Sequence, residues 1–272
     1  MKLWNQNSKD KNSAIDHFLS SEDITLDQEL FLYDIEASIA HTHELEKINI
    51  FTKTEARKVI SSLKKLGKLF KTNKFKLTAK YEDCHSAIED FLTKELGSIG
   101  KKIHTGRSRN DQIMVAMRLY AREKLDEIQS KNLKVAKAFL EKSEKHSSNP
   151  MPGYTHLQRA MPSSWGLWFG AFAESFLDNA ELLSNTKSWI NVNPLGTAAG
   201  YGVNLPIKRD ISTKELNFKR KQLNSLYVQN SRGKFELELI GALKQPMLDI
   251  RKFSWDMSLF LSQEFNLLSL PP

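Results

Sequence analysis

The chain has 272 residues, with 40 Lys and Arg against 32 Asp and Glu, a formal net charge of +8. At 40% hydrophobic and 26% charged it has the make-up of a globular protein, which excludes wholesale disorder. No run of 18 apolar residues occurs, and residues 1–7 lack an apolar core with a cleavage site, so neither a membrane span nor a signal peptide is predicted. Cys84 is the only cysteine. An intramolecular disulfide is therefore impossible, and a reducing cytoplasm is the expected compartment. A pI near 9.3 suggests an anionic partner. The lysines are spread along the chain, however. Their tightest cluster, 64–76, reads as a solvated face at a helix end and not as a nucleic-acid platform.

Helical periodicity dominates. Thr25 and Gln28 form a capping-box pattern ahead of the stripe Phe31, Ile35, Ile39. Thr52 and Glu55 repeat it ahead of Val59, Leu63, Leu66 and Phe70, with Phe51 and Ala56 placed as a weak hydrophobic staple. A third helix is predicted over 83–96, closed by Gly97, with a loop over 97–102. Residues 108–149 contain no glycine or proline, and apolar positions recur from Met114 to Phe139. They read as one long helix of up to ~60 Å at 1.5 Å per residue. Pro150, Pro152 and Gly153 stop it. A second long helix, with a wide aromatic face from Trp165 to Phe176, is predicted from about 162 to 188. The glycine-rich segment 193–202 is irregular, and a third long helix spans 235–268 with a kink at Pro246. Strand signals are thin, and no Asn-Gly hairpin appears. The fold class is all-α. A small N-terminal helical domain, 1–108, precedes the long helices of a bundle, 109–272.

Three polar clusters can carry chemistry. The densest is His104-Thr105-Gly106-Arg107-Ser108-Arg109-Asn110-Asp111-Gln112, at the mouth of the first long helix. Free N–H groups and the positive end of the helix dipole favour anions there, and arginines grip carboxylates in a bidentate fork. A plain capping loop, with Ser108 or Asn110 as N-cap, fits the same residues. The second is Gly153-Tyr154-Thr155-His156-Leu157-Gln158-Arg159. Histidine is the usual proton carrier near neutral pH, though a lone histidine is more often structural. The third is Asp83-Cys84-His85 with Glu89. His85 and Glu89 share a helix face, which reads as a capping pair and not a metal site. Cys84 reads as a buried bystander.

Together with Asp34-Ile35-x-x-Ser38-Ile39-Ala40-His41 and Asn193-Pro194-Leu195-Gly196, these segments resemble argininosuccinate lyase of the aspartase/fumarase superfamily. The His-Thr-Gly-Arg-Ser-Arg-Asn-Asp run is specific to this lyase among its relatives, which sets the adenylosuccinate, fumarate and aspartate lyases aside. The motifs fall in family order along the whole chain. The resemblance implies a superfamily-type central helical bundle and β-elimination of argininosuccinate to L-arginine and fumarate in arginine biosynthesis. It implies a homotetramer with shared sites and no metal or organic cofactor. By motif position His156 resembles the catalytic histidine and Thr155 a substrate-binding threonine that completes the catalytic pair. Asn110 resembles the substrate-binding asparagine. Ser108, Arg109, Arg107, His85 and Gln158 fall in segments that line or support the site.

Two departures stand out. Asp23 occupies the position where the family often has a serine, with Ser20 and Ser21 nearby as substitutes. The signature Gly-Ser-Ser-x-Met-Pro-x-Lys-x-Asn-Pro, which carries the catalytic serine, is absent. The sequence therefore resembles about the first three-fifths of a lyase with an incomplete bundle. The competing expectation is a catalytically inactive, truncated or structural lyase-fold protein.

Overall fold

A computed structural model describes residues 22–78 and 80–270. Ser20 and Ser21, the substitutes for the family serine, lie outside the described residues. Helices dominate: α1 (Asp23–Lys47), α2 (Lys53–Lys71), α3 (Cys84–Leu96), the short α4 (Ser98–Lys101), α5 (Arg109–Lys145), α6 (Trp165–Ile190), α7 (Asp210–Glu215), α8 (Ser225–Asn230) and α9 (Lys234–Phe260). Two small sheets accompany them. One is the antiparallel hairpin β1 (Pro150–Thr155) and β2 (Gln158–Ser164). The other pairs β3 (Val192–Asn193) with β4 (Arg220–Lys221) in parallel.

The chain forms two compact units. The first comprises 22–121 and 191–232, the second 122–190 and 233–270. The sequence reading cut the chain once, between 108 and 109. The structure instead returns 191–232 to the first unit, because the glycine-rich segment packs into that unit's core. Leu195 is fully buried there in a cluster with Ala37, Ala40, Val115, Leu119, Leu216 and Phe218.

In the first unit α1, α2 and α3 enclose a core of Phe31, Ile35, Val59, Leu63, Leu66, Ile88 and Leu92. Phe70 and Phe75, within the lysine-rich stretch, pack on Phe31 at ring separations of 4.5 and 5.6 Å, so the lysines around them form the outer face. Thr52 and Glu55 make the expected reciprocal cap. Thr25 and Gln28 do not. α1 starts three residues earlier, at Asp23, after Glu22, which supplies no side-chain cap. Asp83 caps α3, receiving the Ser86 N–H at 2.6 Å, and Gly97 ends it at φ +59°. The predicted loop over 97–102 is instead α4 followed by a 3-10 turn (Lys102–His104).

In the second unit the aromatic face of α6 meets two helices, α5 and α9. Phe139 of α5 lies 5.5 Å from Phe172 and 5.1 Å from Phe253, and Trp168 stacks on Phe253 at 5.4 Å. α9 runs through Pro246 but ends at Phe260, short of the predicted 268. Asn266 adopts φ +47°, and the Leu267 and Leu268 N–H groups fold back onto the Phe260 carbonyl.

Gly166 sets the approach of α6 to the end of α5. A Cβ there would sit 2.5 Å from Ser147 Cα and 2.7 Å from the Ser143 carbonyl. These are backbone-level contacts that no rotamer relieves. Gly166→Ala is expected to cost roughly 2–3 kcal/mol and lower Tm by roughly 5–10 °C in thermal melts. Gly241→Ala, in the exposed interior of α9 with open space around it, is the control. It is expected to raise stability by about 0.5–1 kcal/mol.

Candidate active site

A polar stripe on α1 organises the first unit. Asp27, Asp34, Ser38 and His41 fall on one face of α1 and are all buried. Together they meet two segments, 84–85 and 104–112. Asp27 Oδ2 accepts the Cys84 N–H at 2.8 Å. Asp34 Oδ2 accepts from His85 Nδ1 at 2.7 Å, and its two oxygens accept from Gln112 Nε2 at 3.0 and 3.1 Å. Ser38 Oγ accepts from Arg107 Nη1 at 2.9 Å. His41 Nε2 donates to the Thr105 carbonyl at 2.9 Å. One helix thus holds both the segment around His85 and the run 104–112.

The run itself is a cap. Ser108 precedes α5, its Oγ accepts the Asn110 N–H at 3.2 Å, and Asp111 Oδ1 accepts the Ser108 N–H at 2.8 Å. Ser108 is thus an N-cap that satisfies the second helical N–H, and Asp111 reaches back to the cap's own N–H. The other oxygen of Asp111 accepts the Gly196 and Ala198 N–H groups at 2.9 and 3.0 Å. The glycine-rich segment is therefore tied to the helix mouth. Arg209 satisfies that segment's carbonyls, reaching Leu195 at 2.7 Å and Asn193 at 3.1 Å.

The five residues of this region differ in exposure. Ser108, Arg109 and Asn110 are half-buried and available to a ligand. Arg109 is braced by Glu89 at 2.7 Å and by Asp83 at 3.1 Å. Asn110 Oδ1 accepts from Arg232 Nη1 at 3.0 Å, a partner that nothing in the sequence suggested. His85 and Arg107 are buried, so they support the surface from beneath and do not face a ligand directly. The expected His85–Glu89 pair does not form. His85 pairs with Asp34, and Glu89 with Arg109 and His104.

The electrostatics follow. Burial presses on every charge here. At His85 it is overridden by the Asp34 carboxylate, which raises the imidazole above its ordinary value, while His85 and Arg107 hold Asp34 below its own. Burial also opposes ionisation of Glu89, yet His104 and Arg109 hold it down at about 2. Asp111 goes the other way, raised by burial despite its N–H donors. The thiol of Cys84 is pushed far up by burial and the surrounding carboxylates. Asp34, Cys84 and His85 lie close together, but a protonated thiol beside a carboxylate already paired to a histidine is an ion pair's surroundings, not a set of metal ligands.

Thr155, His156 and Gln158 belong to the second unit. Thr155 pairs with Gln158 across the hairpin, leaving His156 and Leu157 as a two-residue turn. Both have positive φ, +53° and +62°. Such turns ordinarily use Asn-Gly, because a side chain at left-handed φ costs about 1–2 kcal/mol. His156 is exposed and opens on a cleft of about 470 Å³ lined by Tyr154, Trp168, Trp255, Asp256 and Phe260, among others. Backbone strain of this kind at an exposed residue is uncommon. Leu157→Asn, which tolerates this φ, is expected to stabilise the chain by about 1 kcal/mol. A Tm increase of roughly 2–4 °C in thermal melts is the measurement that checks it.

Comparison with known proteins places this geometry. Argininosuccinate lyase of Xylella fastidiosa strain Temecula1 is 47% identical over 270 residues, covering 99% of this chain and 61% of that protein. Argininosuccinate lyase of Xanthomonas campestris pv. campestris strain B100 is 48% identical over 269 residues, covering 99% and 62%. The chain thus spans about three-fifths of the length of these relatives. Among solved structures, a variant of EDDS lyase with bound fumarate has a TM-score of 0.80 at 24% identity, covering 96% of this chain and 51% of that one. Fumarate lyase from Mesorhizobium sp. BNC1 has a TM-score of 0.74 at 20% identity, covering 91% and 59%. At those identities the structures speak for the all-α fold. The family described as "Lyase" matches residues 9–271, nearly the whole chain, and the protein belongs to that family.

Proposed function

We propose that this chain is the N-terminal and central part of an argininosuccinate lyase, which splits argininosuccinate into L-arginine and fumarate in cytoplasmic arginine biosynthesis. The observation that carries the reading is 47% identity to argininosuccinate lyase across 99% of the chain. The integrity of the 104–112 run as a built cap at the mouth of α5 supports it.

In this reading Ser108, Arg109 and Asn110 bind substrate carboxylates at a helix N-terminus, where partial positive charge and N–H donors await them. His85, Arg107, Asp34 and Asp111 hold that turn in place. Thr155 and Gln158 flank the substrate, and His156 moves a proton. The elimination breaks a C–H bond beside a carboxylate and the C–N bond to the guanidino nitrogen. The electron pair left by the proton forms the C=C bond of fumarate, and the nitrogen leaves as arginine after gaining a proton. Charge building on the carboxylate is stabilised by donors already in position. The active form is a homotetramer in which subunits share sites, and no cofactor takes part.

The test is absorbance-detected release of fumarate from argininosuccinate. It is run with the 272-residue chain and with a longer polypeptide matching the relatives' full length. Release by the longer form supports the reading. Release by neither removes it, and the non-catalytic lyase-fold alternative then stands.

A further inference from the structure

We infer that the outer face of α2 docks on the phosphate backbone of double-stranded nucleic acid. The lysines are spread along the chain, but the net charge is not. Residues 53–80 hold ten Lys and Arg against one acid, a net +9, while the whole chain is +8, which leaves −1 for everything else. Lys53, Arg57, Lys64, Lys68 and Lys71 of α2 are all exposed. At 3.6 residues per turn they fall within roughly 60° of one another, and the ridge they form is about 27 Å long. None of the five pairs with an acid among the described residues. The one acid of the stretch is engaged elsewhere, since Glu55 caps α2 and meets Lys102 Nζ at 2.8 Å.

A solvated face has no need of this arrangement. Like charges four residues apart, as in Lys53 with Arg57 and Lys64 with Lys68, work against the helix. The outer side of α5 shows the ordinary alternative, with Lys131 paired to Glu127 at 2.7 Å and Lys137 facing Glu141 at 3.9 Å. What the ridge lacks defines its partner. No large hydrophobic residue is exposed among the described residues of 53–80, and Phe70 and Phe75 pack on Phe31. Without a free ring there is no platform for stacking single-stranded bases. Without an apolar centre there is no anchor for a protein interface or a bilayer. A row of phosphates needs neither. A DNA duplex carries one charge per about 1.7 Å of axis, so a ridge about 27 Å long spans roughly 16 of them. Contacts of this kind position a backbone and read no sequence. The missing aromatics therefore exclude base stacking, as the sequence indicated, but not docking on a duplex. The inference is independent of the lyase reading and concerns a face that reading does not use.

The experiment follows the fluorescence anisotropy of a labelled DNA duplex of about 20 base pairs, titrated with the 272-residue chain and with the polypeptide of the relatives' full length. Saturable binding by both is expected, with Kd of the order of 10⁻⁶–10⁻⁴ M near physiological salt and a log–log salt slope of about −4 to −5, the mark of five phosphate contacts. Lys64→Gln, Lys68→Gln and Lys71→Gln together are expected to weaken binding at least roughly tenfold at low salt and to flatten the slope by about 3. Lys53→Gln with Arg57→Gln, at the other end of the ridge, is the second variant and is expected to flatten the slope by about 2. Circular dichroism checks that each variant keeps its helices. Lys131→Gln, Lys134→Gln and Lys137→Gln together remove the same charge from α5 and are expected to change Kd by less than about threefold. Equal weakening by the α5 set reduces the effect to net charge and overturns the assignment. So does the absence of saturable binding, or tighter binding to a single strand of the same length. Binding to anionic phospholipid vesicles without binding to the duplex overturns it in favour of a membrane surface. A full-length polypeptide that ignores the duplex while the 272-residue chain binds it shows the ridge covered by the rest of the protein, and overturns it as well.

Discussion

Asp34→Ala is expected to destabilise the chain by roughly 3–5 kcal/mol, the largest single-site loss anticipated here, because it breaks a buried charge pair from one side. Asp34 is fully buried and His85 is 2% exposed. Removing the carboxylate leaves the His85 Nδ1–H and the Gln112 Nε2–H without their acceptor. Denaturant melts of both proteins, compared across pH, check it. The sign of the pH dependence follows from the two shifts. Asp34 is depressed from 3.8, so its contribution is present above that value and is lost as pH falls through the lower folded one. His85 is raised from 6.5, so its contribution is complete below 6.5 and fades as pH rises through the higher folded value. The gap between wild type and variant is therefore widest between 3.8 and 6.5. It narrows in acid and again in alkali. Asp83 supports the imidazolium and Arg109 opposes it, while Arg107 supports the carboxylate from its other side. A gap that does not change with pH would show that Asp34 acts through packing and hydrogen bonding alone.

His156→Ala, placed in the polypeptide of the relatives' full length, is expected to lower kcat for fumarate release by about 10²–10⁴, the span of a lost proton-transfer group. KM is expected to change little if, as proposed, the histidine moves a proton and the carboxylates are held at the mouth of α5. The fold has no reason to respond. His156 is exposed at the tip of a hairpin, and alanine inherits the same left-handed strain, so Tm is expected to stay within about 1 °C. Activity within tenfold of wild type would remove His156 from proton transfer. A large fall in Tm would assign it a structural role.

The long helices were legible in the sequence because their information is local. Forty residues without glycine or proline, or an apolar stripe behind a Thr-x-x-Glu cap, specify a helix wherever they occur. The hairpin was not legible for an equally physical reason. Its turn uses His156 and Leu157, residues that local energetics disfavour at positive φ, so the usual Asn-Gly signal was missing. The mouth of α5 was recognisable as polar and basic, but the division of labour inside it was not. Whether Arg107 faces solvent or Ser38 depends on α1, some seventy positions away. A signal was present nonetheless. The polar residues Asp27, Asp34, Ser38 and His41 recur at helical spacing on a face that otherwise reads as core, and a buried polar stripe demands partners. Arg232, which meets Asn110, had no such signature.

The discontinuity of the first unit imposes an order in time. Asp111 is made early, but two of its three N–H partners, on Gly196 and Ala198, are made only after the intervening 122–190 segment. At about 5–20 residues per second, a growing chain waits roughly 4–17 s between the two. During that interval a carboxylate destined for full burial holds only its own turn. Closing the long loop adds little to the final free energy, since that cost grows only with the logarithm of length, but it delays completion. The nascent first unit is thus a half-built scaffold whose helix-mouth turn sets last, and a growing chain that ends before residue 196 carries the Ser108–Asn110 turn without the clamp that Gly196 and Ala198 supply.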